Sequence, residues 1–149
     1  MGKSNSFEMK FDAKEANESF ARHVVGTFLV DANPAIDELE DVKTAVSEAV
    51  TNSIVHGYLE KGGEICLRCS LIDRILDLVI EDKGVGIDDI DKALEPFYTT
   101  KPDEERSGMG LPLIKSFMSK LEIISSKNSG TTLIMKKILR EEEDNAGAQ

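Results

Sequence analysis

The sequence predicts an α/β two-layer sandwich, a mostly antiparallel mixed sheet with helices on one face. Three observations predict it. Several short segments alternate apolar and polar residues with the period of a strand. Pairs of these segments are joined by turns as tight as Asp73-Arg74 and Asn128-Ser129-Gly130, and such neighbours pair antiparallel. Longer segments between them carry helical spacing, giving the order strand, helix, helix, strand, strand, short helix, loop, helix, strand, strand.

Each element has a local cause. Residues 5–13 place Phe7, Met9 and Phe11 on one face of a strand. Residues 14–30 set Ala16, Phe20, Val24, Thr27 and Phe28 at helical spacing, and Asp31-Ala32-Asn33-Pro34 breaks that helix. A second helix is expected from Ile36 to His56, with core stripe Leu39, Val42, Val46, Ala49 and Val50 and with Gly57 as its stop. Gly62-Gly63 leads into strands at 64–72 and 75–82. A glycine loop at 83–87 and a short helix at 88–95 follow. Residues 96–109, with Pro96, Pro102 and Gly108, read as a lid. Gly110 opens a helix to about Leu121, with Pro112 in its first turn where proline is tolerated. Strands near 121–126 and 131–140 complete the sheet.

The chain has 149 residues, which fits one domain at 1–140 with an acidic, disordered tail at 141–149. Lys and Arg number 18 against 28 Asp and Glu, for a net charge of −10. Without a Lys/Arg-rich run, this balance argues against direct nucleic-acid binding, which needs phosphate neutralisation. It suits a basic protein partner instead. No stretch approaches the roughly 18 apolar residues of a membrane span, and no signal peptide opens the sequence, so a cytoplasmic location is expected. Gly2 and Ser6 match only a loose myristoylation pattern, and Lys3-Ser4 lacks the upstream glycine of a phosphate-binding loop. Cys66 and Cys69 form one C-x-x-C inside a strand pattern, where residues three apart face opposite ways. They read as two packed thiols rather than a zinc or redox site.

Three elements carry chemistry. Asp82 shares the core-facing parity of Leu76, Leu78 and Ile80, so it should be shielded from water and paired. Gly84 and Gly86 follow at once. An inward carboxylate at a strand end beside a glycine turn suits an adenine, accepting from its exocyclic amino group. Glu48 and Asn52, four apart, are neighbours on the second helix, about 40° apart around its axis. Glu48 offers a general base and Asn52 an oxygen ligand for Mg²⁺. Ser107-Gly108-Met109-Gly110 leads into a helix N-terminus, a setting that binds phosphate without net positive charge. Lys101 and Arg106 precede it and can reach a γ-phosphate. Each element alone has an ordinary explanation: an Asp-capped turn, a solvated helix face, a loose glycine pair.

Their order is far more specific. Glu48-Ala49-Val50-Thr51-Asn52, then Asp82-Lys83-Gly84-Val85-Gly86, then Gly108-Met109-Gly110-Leu111 resemble the three nucleotide boxes of the GHKL (Bergerat-fold) ATPase/kinase superfamily. Gly130-Thr131-Thr132 resembles its last strand motif. Glu18-Ser19-Phe20-Ala21-Arg22, His56-Gly57-Tyr58, Phe97-Tyr98-Thr99-Thr100-Lys101-Pro102 and Glu105-Arg106-Ser107-Gly108-Met109-Gly110 extend the likeness to the anti-sigma F factors of endospore-forming bacteria, over about residues 6–139.

The resemblance implies a homodimer that holds sporulation sigma factor F and uses Mg-ATP to phosphorylate a serine of its anti-anti-sigma antagonist. It implies that Glu48 is the catalytic base and that Asn52 binds Mg²⁺. Asp82 would read adenine, with Gly84 and Gly86 shaping the pocket and Thr131 supporting it. Thr99, Thr100 and Lys101 would belong to the lid, while Arg106, Ser107, Gly108, Met109 and Gly110 would cradle the phosphates. Arg22 would contact both partners, although by composition it reads as a plain surface arginine. Phosphoryl transfer mainly needs positioning and charge neutralisation, which this set supplies. The alternatives are a related stress-response anti-sigma kinase of the same chemistry and a nucleotide-gated binding module without turnover. Glu48 argues against the second, since a pure binder needs no base. The Tyr58–Gly63 turn, the acidic tail and the Leu111-Pro112 pair depart from the pattern, and the last bears on lid closure.

Overall fold

The computed structural model describes residues 4–96 and 110–142. The elements are β1 (Ser4–Asp12), α1 (Glu15–Leu29), a 3₁₀ turn (Val30–Ala32), α2 (Ile36–Asn52), a π-turn (Ser53–Gly57), β2 (Glu64–Ile72), β3 (Ile75–Asp82), α3 (Ile90–Ala93), α4 (Gly110–Phe117), β4 (Lys120–Ser125) and β5 (Thr131–Ile138). The lid residues 97–109 and the tail residues 143–149 lie outside the described residues. Among those described, no helix is long and apolar enough to cross a membrane.

The strands form a five-stranded sheet in the order β1-β2-β3-β5-β4. All four neighbouring pairs are antiparallel, so the parallel component expected of a mixed sheet is absent from the described strands. Strand periodicity puts Ile65, Leu67, Cys69 and Leu71 of β2, Leu76, Leu78 and Ile80 of β3, and Leu133 and Met135 of β5 on one buried face. α2 packs between α1 and α4 over that face. It contributes Val42, Ala45, Val46, Ala49 and Val50, close to the stripe its spacing predicts. Cys69 is buried on this face and Cys66 partly exposed on the other, as the strand parity of the C-x-x-C requires.

α1 is turned from its predicted orientation. Its buried residues are Ala21, Val25, Gly26 and Leu29, while Phe20 is 52% exposed. The two candidate stripes differ by one residue, a rotation of about 100°. The one with the smallest residues wins because it lets α1 approach α2 closely: a Cβ on Gly26 would sit 3.3 Å from the Lys43 side chain. Phe28 instead packs edge-on against Phe7 of β1, with ring centroids 4.8 Å apart.

The start of α2 is tied to the end of β5. Glu38 is buried and accepts from the backbone N–H of Ala35 at 3.1 Å and of Arg140 at 2.7 Å. Arg140 in turn grips exposed Asp37 with both guanidinium nitrogens, and this hydrogen bonding lowers the Asp37 pKa. Glu142, just beyond, pairs with Arg74 of the β2–β3 turn at 3.4 Å.

Candidate functional site

Glu48 and Asn52 lie one turn apart near the end of α2, both partly buried. The helical path runs on to Gly57 as expected, but its last turn is not α-helical. After Asn52 it widens into the π-turn, which carries Ser53 into the interior, where it is 2% exposed. Ser53 Oγ donates to Asp82 Oδ2 at 2.8 Å. This bond joins the end of α2 to the end of β3. Asp82 is 3% exposed, on the core face that the β3 alternation predicts, and its other oxygen accepts from Gly84 N–H at 2.9 Å. Burial pushes its carboxyl above the usual carboxylate range, against the pull of Gly84 N–H, the Ser53 hydroxyl and the Thr131 backbone.

The glycine loop after β3 is wedged between two other segments. A Cβ on Gly84 would stand 2.1 Å from the carbonyl oxygen of Gly57. Gly86 has φ 78°, and a Cβ there would stand 1.9 Å from the carbonyl oxygen of Ser126. These glycines are therefore required by backbone packed against backbone, a reason distinct from admitting a base. Val85 N–H donates to Gly57 O at 2.9 Å, and Ile87 N–H to Ser125 Oγ at 2.8 Å. Thr131, 3% exposed, lies opposite Asp82 in the β3–β5 register with its hydroxyl 2.9 Å from that of Ser125.

The fold thus gathers Asn52, Asp82, Gly84, Gly86 and Thr131 at one end of the sheet, with Glu48 one turn further along α2. Gly110 is buried as the first residue of α4, which packs on α2. Thr99, Thr100, Lys101, Arg106, Ser107, Gly108 and Met109 lie outside the described residues. Arg22 is more than a plain surface arginine. It is partly buried, with Nε 3.3 Å from Glu18 Oε2, and the same oxygen accepts from Ser47 Oγ at 3.0 Å. Ser47 is the residue before Glu48. Ser53 and Tyr58 also bond to Asp82 and the loop after it; Ser53 was not singled out in the sequence, and Tyr58 entered only as part of the His56-Gly57-Tyr58 string and of the turn after it. A signal for Ser53 exists: it is a polar residue continuing the apolar Val42, Val46, Ala49, Val50 stripe.

Comparison with known proteins gives the family. The profile of the histidine kinase-like ATPase domain matches residues 11–137, which contain every described candidate residue. The anti-sigma F factor of Clostridium kluyveri is 53% identical over 134 residues, covering 90% of this chain and 94% of the relative. That of Clostridium acetobutylicum is 50% identical over 133 residues, covering 89% and 93%. This chain belongs to the anti-sigma F factor family. A crystal structure of the RsbU and RsbW domains of a Mycobacterium tuberculosis protein superposes with a TM-score of 0.67 over 93% of this chain and 33% of that longer one. At 19% identity, that likeness concerns the fold alone. A domain of the histidine kinase-like ATPase family is a nucleotide-binding domain.

Proposed function

We propose that this member of the family is an ATP-dependent serine protein kinase that also holds sigma factor F. The observation that carries the reading is the Ser53–Asp82 bond, which brings the Glu48/Asn52 turn of α2 against the base-reading carboxylate. Asp82 accepts from the adenine amino group, using acceptor capacity that its two existing bonds leave open. Asn52 holds Mg²⁺ through its side-chain oxygen. Among the described residues, no cluster of three or more His, Cys, Asp or Glu is placed to hold a metal. A single neutral oxygen fits Mg²⁺, which keeps several waters and takes phosphate oxygens. Bound Mg-ATP supplies the transferred phosphoryl group. Glu48 takes the proton of the attacking serine hydroxyl of the anti-anti-sigma antagonist. Gly110, the first residue of α4, would hold the phosphates together with Arg106, Ser107, Gly108 and Met109, which precede it in the sequence.

Arg22 contacts the sigma factor and the antagonist, steadied by Glu18. A homodimer belongs to the same reading, supported by the outer sheet face. There Ile72, Ile75 and Ile138 stand in one cross-strand row, each exposed, and no described helix covers them. The protein works in the cytoplasm as one domain at 1–140 with an acidic tail at 141–149.

The test is incubation with γ-labelled ATP, the candidate antagonist and sigma factor F. Label should appear on an antagonist serine. The Glu48→Ala variant should bind ATP and the sigma factor but transfer no label. Full transfer by that variant removes Glu48 as the base, and nucleotide binding without transfer by the unaltered protein leaves only the gated binding module.

A further inference from the structure

The segment after Asn52 is unusual. A π-turn is rarer than an α-turn and persists where other contacts hold it. Here Ser53–Gly57 and the following Tyr58 make three hydrogen bonds to one short stretch, the end of β3 and its glycine loop. Ser53 Oγ donates to Asp82 Oδ2 at 2.8 Å. Lys83 N–H donates to Tyr58 Oη at 2.8 Å, and that hydroxyl donates in turn to the carbonyl of Glu64, the first residue of β2. Val85 N–H donates to Gly57 O at 2.9 Å.

There is no slack between the two segments. A Cβ on Gly57 would stand 2.9 Å from Asp82 Oδ2, and one on Gly84 would stand 2.1 Å from Gly57 O. The Tyr58 ring is seated against Gly63, where a Cβ would come within 2.4 Å of it. The phenol therefore has a fixed position, and both its donor and its acceptor capacity are used.

We propose that Ser53 and Tyr58 are positioning residues that lock loop 82–85 to the end of α2, so that base recognition and the Glu48/Asn52 pair form one rigid unit before nucleotide arrives. This rests on the reading of Asp82 as the adenine contact. Ser53 sets the rotation of the Asp82 carboxylate by holding Oδ2, while Gly84 N–H holds Oδ1. Tyr58 sets the position of the next residue by holding the Lys83 amide. A pocket ordered in advance spends less of its binding free energy on ordering itself.

The test uses full-length Ser53→Ala, Tyr58→Phe and, as control, Asp82→Asn. Calorimetry measures ADP, ATP and inosine triphosphate. Amide hydrogen exchange follows Lys83 and Val85 in protein without nucleotide. Loss of one buried hydrogen bond should weaken ADP and ATP alike, roughly five- to tenfold. Ser53→Ala should also narrow the preference for ATP over inosine triphosphate, which lacks the amino group that Asp82 accepts from. Tyr58→Phe should speed exchange at Lys83 before any nucleotide is added, and a merely structural loss elsewhere would not single out that amide. Tyr58→Phe removes one oxygen from a partly exposed ring, so it serves if Ser53→Ala weakens the fold. If Asp82→Asn impairs ATP binding while both positioning variants bind and exchange like the parent, positioning is overturned and the adenine reading stands. If Asp82→Asn binds ATP unchanged, the adenine reading falls and takes the proposal with it.

Discussion

Asp82→Asn separates function from stability in one substitution. The shapes are nearly the same, so the pocket keeps its volume. The asparagine oxygen accepts from Gly84 N–H, and its amide donates to Ser53 Oγ, whose hydroxyl rotates to accept. On the proposed reading of Asp82 as the adenine contact, what is lost is the negative acceptor for the adenine amino group. A hydrogen bond to a charged group contributes about 1.5–3 kcal/mol, which is about ten- to 150-fold in affinity. Stability should move the other way. Burial raises the Asp82 pKa in the folded chain. As pH climbs from the ordinary carboxylate range through that raised value, the unfolded chain gives up its proton first. Folding stability therefore falls across this window and then levels. An asparagine has no such loss. Calorimetry with ADP and ATP, and melting without nucleotide at several pH values, check both halves. The variant should bind far more weakly yet melt no lower at neutral pH, with its advantage growing through the window. Unchanged ATP affinity, or a melting point lower by the 2–4 °C that about 1 kcal/mol represents at this size, refutes the reasoning.

Two further outcomes rest on packing. Gly84→Ala forces a Cβ to within 2.1 Å of the Gly57 carbonyl oxygen, where only backbone can move; a loss of about 1–3 kcal/mol is expected, read from the midpoint of urea unfolding, and an unchanged midpoint refutes it. The Cys69 thiol, pushed up to about 12 by burial and by the nearby Asp77 charge, should resist iodoacetamide in the native protein while the more accessible Cys66 reacts; mass spectrometry finding native-state label on Cys69 contradicts that burial.

Much of this was legible in the sequence because its causes are local. Alternation along Leu76, Leu78 and Ile80 placed Asp82 inside. The four-residue spacing put Glu48 and Asn52 on one side of α2. The order of three glycine- and carboxylate-bearing strings pointed to nucleotide chemistry and to the family, and tight turns made the hairpins antiparallel. Where local signals were degenerate, the reading failed. α1 offered two stripes one residue apart, and contact with α2 selected the stripe with Ala21 and Gly26. Gly84 and Gly86 were visible as glycines, but the Gly57 and Ser126 carbonyls that require them were not.

What only the tertiary structure decided lies at long range. The register that sets β5 between β3 and β4 brings Thr131 opposite Asp82. The π-turn brings Ser53 onto Asp82, 29 residues away, and Glu38 reaches the Arg140 amide across 102 residues. Side-chain periodicity records which way a residue faces within its own element. Which distant group it meets there depends on how whole elements seat against one another, and close packing of the core settles that only once the sheet and helices are assembled.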